Sequence, residues 1–312
     1  MKNNLKLSIV IPVYNSSQTF TEFYNRLKSV LEEITKSWEI IFVDDGSKDN
    51  SWEKIKKICQ LSDNIVGVRL KKNYGQHNAL LCGIRKARNN YIITMDDDLQ
   101  NPPEEIPLLI QEIQKGYDVV YGYPRKEKHG LLRNLASIIT KIALKTTMGI
   151  KTARHVSAFR IFRKDLRNSF SSYKGSFVSI DVLLSWSTNS FRAVPVNHLN
   201  RSKGKSSYTI KKLINHAFNM VTGFSVLPLQ IASIIGFLFA IFGLLILLFV
   251  LGKYLIQGST VQGFTFLASI ISIFSGAQLL AIGIIGEYLS RMHFRSMDKP
   301  QYSIGEKLNL DI

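Results

Sequence analysis

The stretch YIITMDDDLQNPPEE, residues 91–105, decides the fold class of this chain. Its first part, residues 91–95, is a short apolar run rich in β-branched residues, as expected of a strand that is buried on both faces. Three adjacent carboxylates, Asp96, Asp97 and Asp98, follow at once. Such a change is typical of the carboxyl end of a strand in an α/β sheet, where ligands bind. We therefore predict an α/β fold with a ligand site directly after this strand.

Further strand-like and helical patterns alternate on both sides of this stretch. The strand-like runs are 7–13, 39–43, 65–70 and 119–122, and the helical patterns cover about 19–36, 49 onward and 78–88. Alternation of this kind predicts a parallel, doubly wound sheet. Polar motifs fall at the carboxyl ends of the first three strands as well, so we expect all of them to line one site.

The acidic run has the composition of a metal site. Where the strand ends, Asp96 and Asp98 face one side and Asp97 the other, because successive side chains of an extended chain alternate. Adjacent carboxylates repel one another unless a cation lies between them. With an amide oxygen from Gln100, these oxygens suit Mg²⁺ or Mn²⁺ bridging a diphosphate. The alternative is a solvated acidic turn before a helix start at 102–103, which the matching motifs at the other strand ends make less favourable.

The last third of the chain is apolar. Between Leu213 and Gly286 the single Lys, Arg, Asp or Glu is Lys253. Residues 226–251 and 263–286 each exceed the roughly 20 residues that span a bilayer. Two such runs separated by a short connector predict a transmembrane helix pair rather than a buried hairpin of a soluble protein.

The chain is basic, with 40 Lys and Arg against 23 Asp and Glu and a net charge of +17. Because no basic-aromatic stripe or DNA-binding motif is present, we exclude nucleic acid as a partner and expect membrane lipids and phosphate-bearing ligands. Basic residues flank the apolar pair on both sides: Arg201, Lys203, Lys205, Lys211 and Lys212 before it, and Arg291, Arg295 and Lys299 after it. The positive-inside tendency places both ends in the cytoplasm and the connector outside.

Two basic, amphipathic segments, 131–147 and 211–225, have the pattern of helices that lie in the membrane interface. Ordinary surface helices are the alternative. The predicted organisation is a catalytic domain over 1–210 that includes 131–147, a juxtamembrane helix over 211–225, two transmembrane helices within 226–288, and a cytoplasmic tail over 289–312.

The motifs together resemble a known family. They are Ile11-Pro12-Val13-Tyr14-Asn15, Val43-Asp44-Asp45-Gly46-Ser47, Asn73-Tyr74-Gly75-Gln76 and the acidic run. In this order they resemble the nucleotide-sugar domain of family 2 glycosyltransferases, which has the Rossmann-like GT-A arrangement. Arg160, the run Arg201-x-x-Gly204-Lys205-Ser206 and the run Gly283-x-x-Gly286-Glu287-Tyr288 resemble the polyprenyl-phosphate branch, which includes dolichyl-phosphate mannose synthase and bacterial undecaprenyl-phosphate sugar transferases.

The resemblance implies roles for individual residues. The nucleotide-sugar would be bound by Pro12, Tyr14, Asn15, Asp44, Asp45, Asn73, Asp96 and Asp97, with Arg201 and Lys205 closing over its diphosphate. The metal would be held by Asp98, Gln100 and Asp96. Arg125 and Arg133 would hold the acceptor phosphate, which suits the bidentate guanidinium fork, and together with Asp98 they are the expected catalytic residues.

These roles predict an inverting, metal-dependent glycosyltransferase that moves a sugar from a nucleotide-sugar, a UDP-sugar, to a polyprenyl phosphate. We expect it in the bacterial inner membrane, with a flippase as a partner and as a homo-oligomer. We expect direct attack by the lipid phosphate, which needs no general base. If a base is used after all, Asp181 is the candidate. The alternatives are a processive polysaccharide synthase, which lacks support because no Gln-x-x-Arg-Trp element is present, and an inactive lipid-binding scaffold.

Overall fold

A computed structural model of the chain describes residues 3–125, 155–175, 177–199, 222–224, 226–257 and 263–310. The chain divides into two compact units. The first combines Met1–Ala217 with Asp298–Ile312, and the second is Phe218–Met297. The first unit therefore contains a segment that follows the second unit in the chain, a return that the sequence analysis did not predict.

The strands of the first unit form one 8-stranded mixed sheet. They are β1 (Asn3–Val13), β2 (Thr35–Asp44), β3 (Ile65–Leu70), β4 (Tyr91–Thr94), β5 (Val119–Pro124), β6 (Arg160–Arg163), β7 (Phe191–Val196) and β8 (Ile304–Leu308). Their order across the sheet is β7-β5-β6-β4-β1-β2-β3-β8. β6 and β8 run antiparallel to their neighbours, whereas the other strands run parallel to one another.

Helices cover this sheet. Those described in the first unit are α1 (Phe20–Ile34), α2 (Ser51–Cys59), α3 (Gln76–Lys86), α4 (Ile106–Ile113) and α5 (Ile180–Ser185), with 3₁₀ turns at Pro103–Glu105 and Lys164–Phe170. In α1, Phe20, Leu27 and Leu31 recur on one helical face and are buried. The ring of Phe20 lies 5.0 Å from that of Phe42 on β2. Each such buried side chain stabilises the fold by about 1.5–3 kcal/mol.

β1 lies between β2 and β4, and side chains on both of its faces, such as Ile9 and Val10, are fully buried. The polar groups that follow it therefore lie beyond its carboxyl end, at the edge of the sheet. The predicted α/β fold of the GT-A class is confirmed, and strands are present at every position where the sequence predicted one. β2 begins earlier than predicted, at Thr35, directly after α1.

The prediction of a wholly parallel sheet was incomplete, because β6 and β8 are antiparallel. β6, with the sequence RIFR, is too short and too charged for a recognisable strand pattern. β8 is an edge strand whose residues are partly or fully exposed. Gly67 on β3 allows close packing of both α2 and β8, since a Cβ there would lie 3.0 Å from Cγ2 of Ile55, 3.1 Å from Sγ of Cys59 and 3.2 Å from Cδ1 of Leu308.

The second unit contains the helices α6 (Leu227–Gln257) and α7 (Phe264–Ser296). Each includes a candidate membrane span, Leu227–Lys253 and Ile273–Ser296, by length and composition. The 31 residues of α6 extend over about 46 Å, more than the roughly 30 Å of a bilayer core. Large apolar side chains of both helices are exposed in the structure, as expected of side chains that face lipid.

Candidate active site

The carboxyl ends of β1 to β4 meet at one edge of the sheet and bring the predicted motifs together. Val13 at the end of β1 lies beside Asp44 at the end of β2. The next residue, Asp45, donates its backbone N–H to the Val13 carbonyl at 2.8 Å. On the other side of β1, Val10 lies beside Thr94 of β4, just before the acidic run. The first strands thus fix the spacing of all these loops.

Asn15 ties the loop after β1 to the loop after β2. Its backbone N–H donates to Oγ of Ser47 at 2.9 Å, and its side-chain oxygen accepts the backbone N–H of Lys48 at 2.8 Å. Asn15 adopts a left-handed conformation, with φ of 53°, which Asn tolerates better than most residues. In the same segment, Pro12 is buried, and the side chain of Tyr14 is 47% exposed at the rim of the site. Tyr14 and Asn15 are both accessible to a ligand, and Asn15 also holds the two loops together.

Asp44 is fully buried, yet only one of its carboxylate oxygens has partners. Oδ2 accepts the Ser47 N–H at 3.3 Å and lies 3.5 Å from Nε of Arg69, whereas Oδ1 is buried with no hydrogen-bond partner. Burial raises the pKa of Asp44, and the Ser47 hydrogen bonds and the Arg69 guanidinium oppose that shift. Because a buried polar atom is costly to leave unpaired, Oδ1 is suited to accept a hydrogen bond from a ligand.

Asp45 has a different role from its neighbour. Its two oxygens accept the backbone N–H groups of Tyr74 at 2.7 Å and Gly75 at 2.8 Å. Burial raises the pKa of Asp45, and these two hydrogen bonds lower it again. Asp45 therefore holds the loop between β3 and α3 in place. Asn73, in the same loop, is exposed at the rim.

Gly46 lets these two loops touch. Its φ is +71°, and a Cβ there would lie 2.7 Å from the carbonyl carbon of Lys72 and 2.9 Å from the backbone nitrogen of Asn73. Neither the conformation nor the space allows another residue without rearrangement. The close approach positions Asn73 next to the loop that carries Asp44 and Asp45.

The acidic run alternates as predicted. Asp96, Asp98 and Gln100 are partly exposed, while Asp97 and Leu99 are buried. Leu99 has a φ of 60°, a strained conformation for a branched residue that a surrounding structure must enforce. Asp96, Asp98 and Gln100 therefore point toward the open side of the loop.

Specific contacts hold the acidic loop. The side-chain amide of Gln76 donates to Oδ1 of Asp96 at 2.6 Å, and the Gln100 N–H donates to Oδ1 of Asp98 at 3.1 Å. The pKa of Asp97 is raised to about 7, mainly by burial and also by the charges of Asp96 and Asp98, while a hydrogen bond with Ser16 opposes the shift. Its Oδ2 is buried without a hydrogen-bond partner.

The predicted metal ligands fit a hard divalent cation by their chemistry. Two partly exposed carboxylates and an amide oxygen, from Asp96, Asp98 and Gln100, are the donors that Mg²⁺ and Mn²⁺ take. Among the residues that the structure describes, no three His, Cys, Asp or Glu side chains are already gathered around a common point. The donors are thus in one loop, without a preassembled carboxylate cluster.

A buried charged network lies behind this loop, and sequence reasoning did not find it as a unit. The Arg160 guanidinium pairs with Asp181, and its Nε donates to Oγ1 of Thr94 at 2.9 Å. The Tyr121 hydroxyl donates to the same Asp181 carboxylate at 3.0 Å. Arg160 and Asp181 are 1% and 5% exposed. Asp181 is therefore engaged by a cation and a hydroxyl, an arrangement unlike that of an accessible base.

The predicted cations are mostly outside the described residues. Arg125 is exposed directly after β5, whose carboxyl end lies at the same edge as that of β4. Arg133, Arg201 and Lys205 lie outside the described ranges, as do the helix predicted over 131–147 and most of 211–225.

Comparison with known proteins agrees with this geometry. Residues 8–170 match the family described as Glycosyl transferase family 2. The chain is 34% identical over 302 residues to the undecaprenyl-phosphate 4-deoxy-4-formamido-L-arabinose transferase of Salmonella choleraesuis (strain SC-B67), over 96% of this chain and 92% of that protein. It is 35% identical over 314 residues to the transferase of the same name from Shewanella sediminis (strain HAW-EB3), over 99% and 95% of the two chains.

Solved structures share this fold over part of the chain. Glucosyl-3-phosphoglycerate synthase of Mycobacterium tuberculosis in complex with UDP has a TM-score of 0.52 at 16% identity, over 70% of this chain and 79% of that chain. Its complex with Mn²⁺, UDP-glucose and phosphoglyceric acid gives a TM-score of 0.52 and 16% identity, over 70% and 78%. At this identity the similarity shows the fold alone.

Proposed function

Because the chain belongs to glycosyltransferase family 2, we propose that it transfers a sugar from a UDP-sugar to undecaprenyl phosphate with inversion at the anomeric carbon. The observation that carries this proposal is the match to undecaprenyl-phosphate transferases over 96% of the chain, which takes in the two apolar helices as well as the sheet. The polar loops at the carboxyl edge of the sheet supply a site for the donor.

The donor nucleotide would occupy the loops after β1 and β2. The buried, unpartnered Oδ1 of Asp44 can accept from a uracil N–H or a ribose hydroxyl, and the exposed ring of Tyr14 can pack against the base. Asn15 and Asp45 keep these loops in register through the backbone hydrogen bonds described above. Their contribution to donor binding is therefore indirect.

Asp98, Gln100 and Asp96 are the proposed ligands of Mg²⁺ or Mn²⁺. A cation bound there would neutralise charge on the donor diphosphate and on departing UDP. Before a cation binds, the raised pKa of the inward-turned Asp97 lessens the repulsion among the three adjacent carboxylates. Arg201 and Lys205 would add positive charge to the same diphosphate.

The acceptor is an anion before the reaction begins. A phosphate monoester has a second pKa of about 6, so its oxygen needs no base at neutral pH, unlike a hydroxyl acceptor. Arg125 and Arg133 would bind and orient it. The engagement of Asp181 with Arg160 and Tyr121 supports this mechanism over one in which Asp181 removes a proton.

We further propose that the enzyme lies in the bacterial inner membrane. Its first unit, which carries the candidate active site and is therefore its catalytic unit, would lie in the cytoplasm. The residues after α7 belong to the catalytic unit, so the chain leaves and rejoins this unit on the same side of the membrane. The basic flanks of the helix pair favour the cytoplasmic side. A lipid-linked sugar made there must cross the bilayer to reach the envelope, so we expect a flippase as a partner. Homo-oligomerisation stays a separate prediction.

A thin-layer assay tests the function. Purified full-length protein is incubated with undecaprenyl phosphate, Mg²⁺ and a panel of radiolabelled UDP-sugars. A single lipid-soluble labelled product with release of UDP is expected for one member of the panel. Polymeric product would favour a processive polysaccharide synthase, and binding of the lipid with no transfer from any donor would favour a scaffold.

A further inference from the structure

The C-terminal segment after α7 is fastened along β3. Strand β8 pairs antiparallel with β3, which places Glu306 opposite Arg69. Beyond the carboxyl end of β3, the Lys71 N–H donates to the Ser303 carbonyl at 2.9 Å. Near its amino end, the side-chain amide of Asn309 donates to three backbone carbonyls at 2.7 to 3.3 Å. The segment is thus attached at both ends of the strand.

One of its side chains is connected to the proposed donor site. Oε2 of Glu306 accepts the indole N–H of Trp52 at 2.8 Å. The guanidinium of Arg69 lies over that indole, 5.9 Å from the ring centroid. Nε of Arg69 in turn lies 3.5 Å from Oδ2 of Asp44. A continuous set of contacts therefore runs from the C-terminal strand to the buried carboxylate.

We propose that Glu306 is a positioning residue for donor binding, which acts on Asp44 through Trp52 and Arg69. The inference rests on the proposed function, which assigns Asp44 to the nucleotide. Since β8 follows both apolar helices in the chain, full affinity for the nucleotide then requires the C-terminal segment to be docked on the sheet.

The physical reason is that each contact fixes the next. Trp52 is 1% exposed, so loss of its acceptor leaves a buried N–H unpaired, which favours a different ring orientation. The Arg69 guanidinium then loses the aromatic face beneath it. Arg69 shares Oδ2 of the fully buried Asp44 with the Ser47 N–H, so a displaced guanidinium leaves this buried charge with a weaker set of partners.

The test measures binding of UDP to full-length protein in detergent with Mg²⁺, by isothermal titration calorimetry. Glu306→Ala is expected to raise the Kd for UDP about five- to twentyfold, within the usual range for coupled side chains. Glu306→Gln keeps an acceptor for the indole N–H and should bind UDP nearly as wild type does. The kcat of Glu306→Ala at saturating donor should stay within about twofold, because the link affects donor binding.

Asn309→Ala is the matched control, because it removes hydrogen bonds of the same segment at the end of β3 away from the donor site. It should lower the melting temperature without changing the Kd for UDP. Arg69→Met removes the guanidinium that lies between Trp52 and Asp44. Its effect on the Kd should not add to that of Glu306→Ala, and this comparison remains informative if Glu306→Ala folds poorly.

Two results would overturn the inference. An unchanged Kd in folded Glu306→Ala would show that no link exists, whatever the effect of Arg69→Met; if Glu306→Ala does not fold, an unchanged Kd in Arg69→Met would show the same. Equal losses in Glu306→Ala and Asn309→Ala would show that the segment acts only through stability. A wild-type protein that fails to bind UDP at all would instead refute the proposed donor, and the inference with it.

Discussion

At the scale of single residues, Asp98 is the group on which the proposed chemistry depends most. It is partly exposed just beyond the carboxyl end of β4, and its Oδ1 accepts the backbone N–H of Gln100 at 3.1 Å. We expect EDTA to abolish transfer and Mg²⁺ or Mn²⁺ to restore it. Asp98→Ala should lose nearly all activity, as measured by UDP release. It should keep the melting temperature of the wild-type protein. Full activity of that variant in chelator would refute the metal assignment.

Asp97 makes a prediction about pH. Its pKa is about 7 in the folded protein against an ordinary 3.8, so the folded state keeps a proton that the unfolded chain loses. The free energy of unfolding of the metal-free protein should therefore fall as pH rises from about 4 to about 7, and level off above that. Each pKa unit corresponds to about 1.4 kcal/mol, so the free energy of unfolding should fall by at most about 4 kcal/mol over this range.

The comparison with Asp97→Asn isolates this effect, because Asn has the shape of the protonated acid and does not titrate. In EDTA the variant should melt at nearly the wild-type temperature at pH 4.5 and several degrees above it at pH 8. Melting profiles that run parallel across this range would mean that Asp97 is ionised in the fold.

At the scale of elements, the Arg160–Asp181 pair joins β6 and α5 behind the acidic loop. Asp181→Asn leaves a buried guanidinium without its charge partner, so it should destabilise the protein by about 3–5 kcal/mol. Tyr121→Phe removes one hydrogen bond of the same carboxylate and should cost about 1 kcal/mol. Chemical unfolding in detergent measures both.

The same variant decides the question of the base. We consider Asp181→Asn protein that is folded and binds UDP. Its kcat at saturating substrates should fall less than about tenfold, and the dependence of kcat on pH between 6 and 9 should not change. A loss of about a thousandfold or more would identify Asp181 as the base and reject direct attack by an already ionised phosphate.

At the scale of the whole molecule, the return of the chain to the sheet constrains the topology. Since 304–308 form a strand of the catalytic unit, the connector between α6 and α7 must lie on the opposite side of the membrane if both helices span it. A Cys introduced at Ser259 should react with an impermeant thiol reagent in intact cells. A reporter fused after Ile312 should be cytoplasmic, and labelling of Ser259→Cys only after permeabilisation would contradict this topology.

Much of the fold could be predicted because its main strands carry their signal locally. Residues 9–13 of β1 are a continuous apolar run, and their burial on both faces of the sheet follows from that composition. β6 and β8 carry no such signal. Whether RIFR or IGEKL becomes a strand depends on the partner edge that the rest of the fold offers, and for β8 on the space left by Gly67. Partner edges are set by distant residues, so a local pattern could not predict them.

The site divides in the same way. The place of the site could be predicted from the residues alone, because an apolar run that ends in carboxylates marks the carboxyl end of a strand, where ligands bind. The different roles of the two aspartates follow from the fold: Oδ1 of Asp44 has no hydrogen-bond partner, whereas both oxygens of Asp45 accept backbone N–H groups. Adjacent identical side chains point in different directions, and what each one meets is supplied by chain that lies far away in sequence. For the same reason, the connection from Glu306 to Asp44 became visible only in the folded molecule.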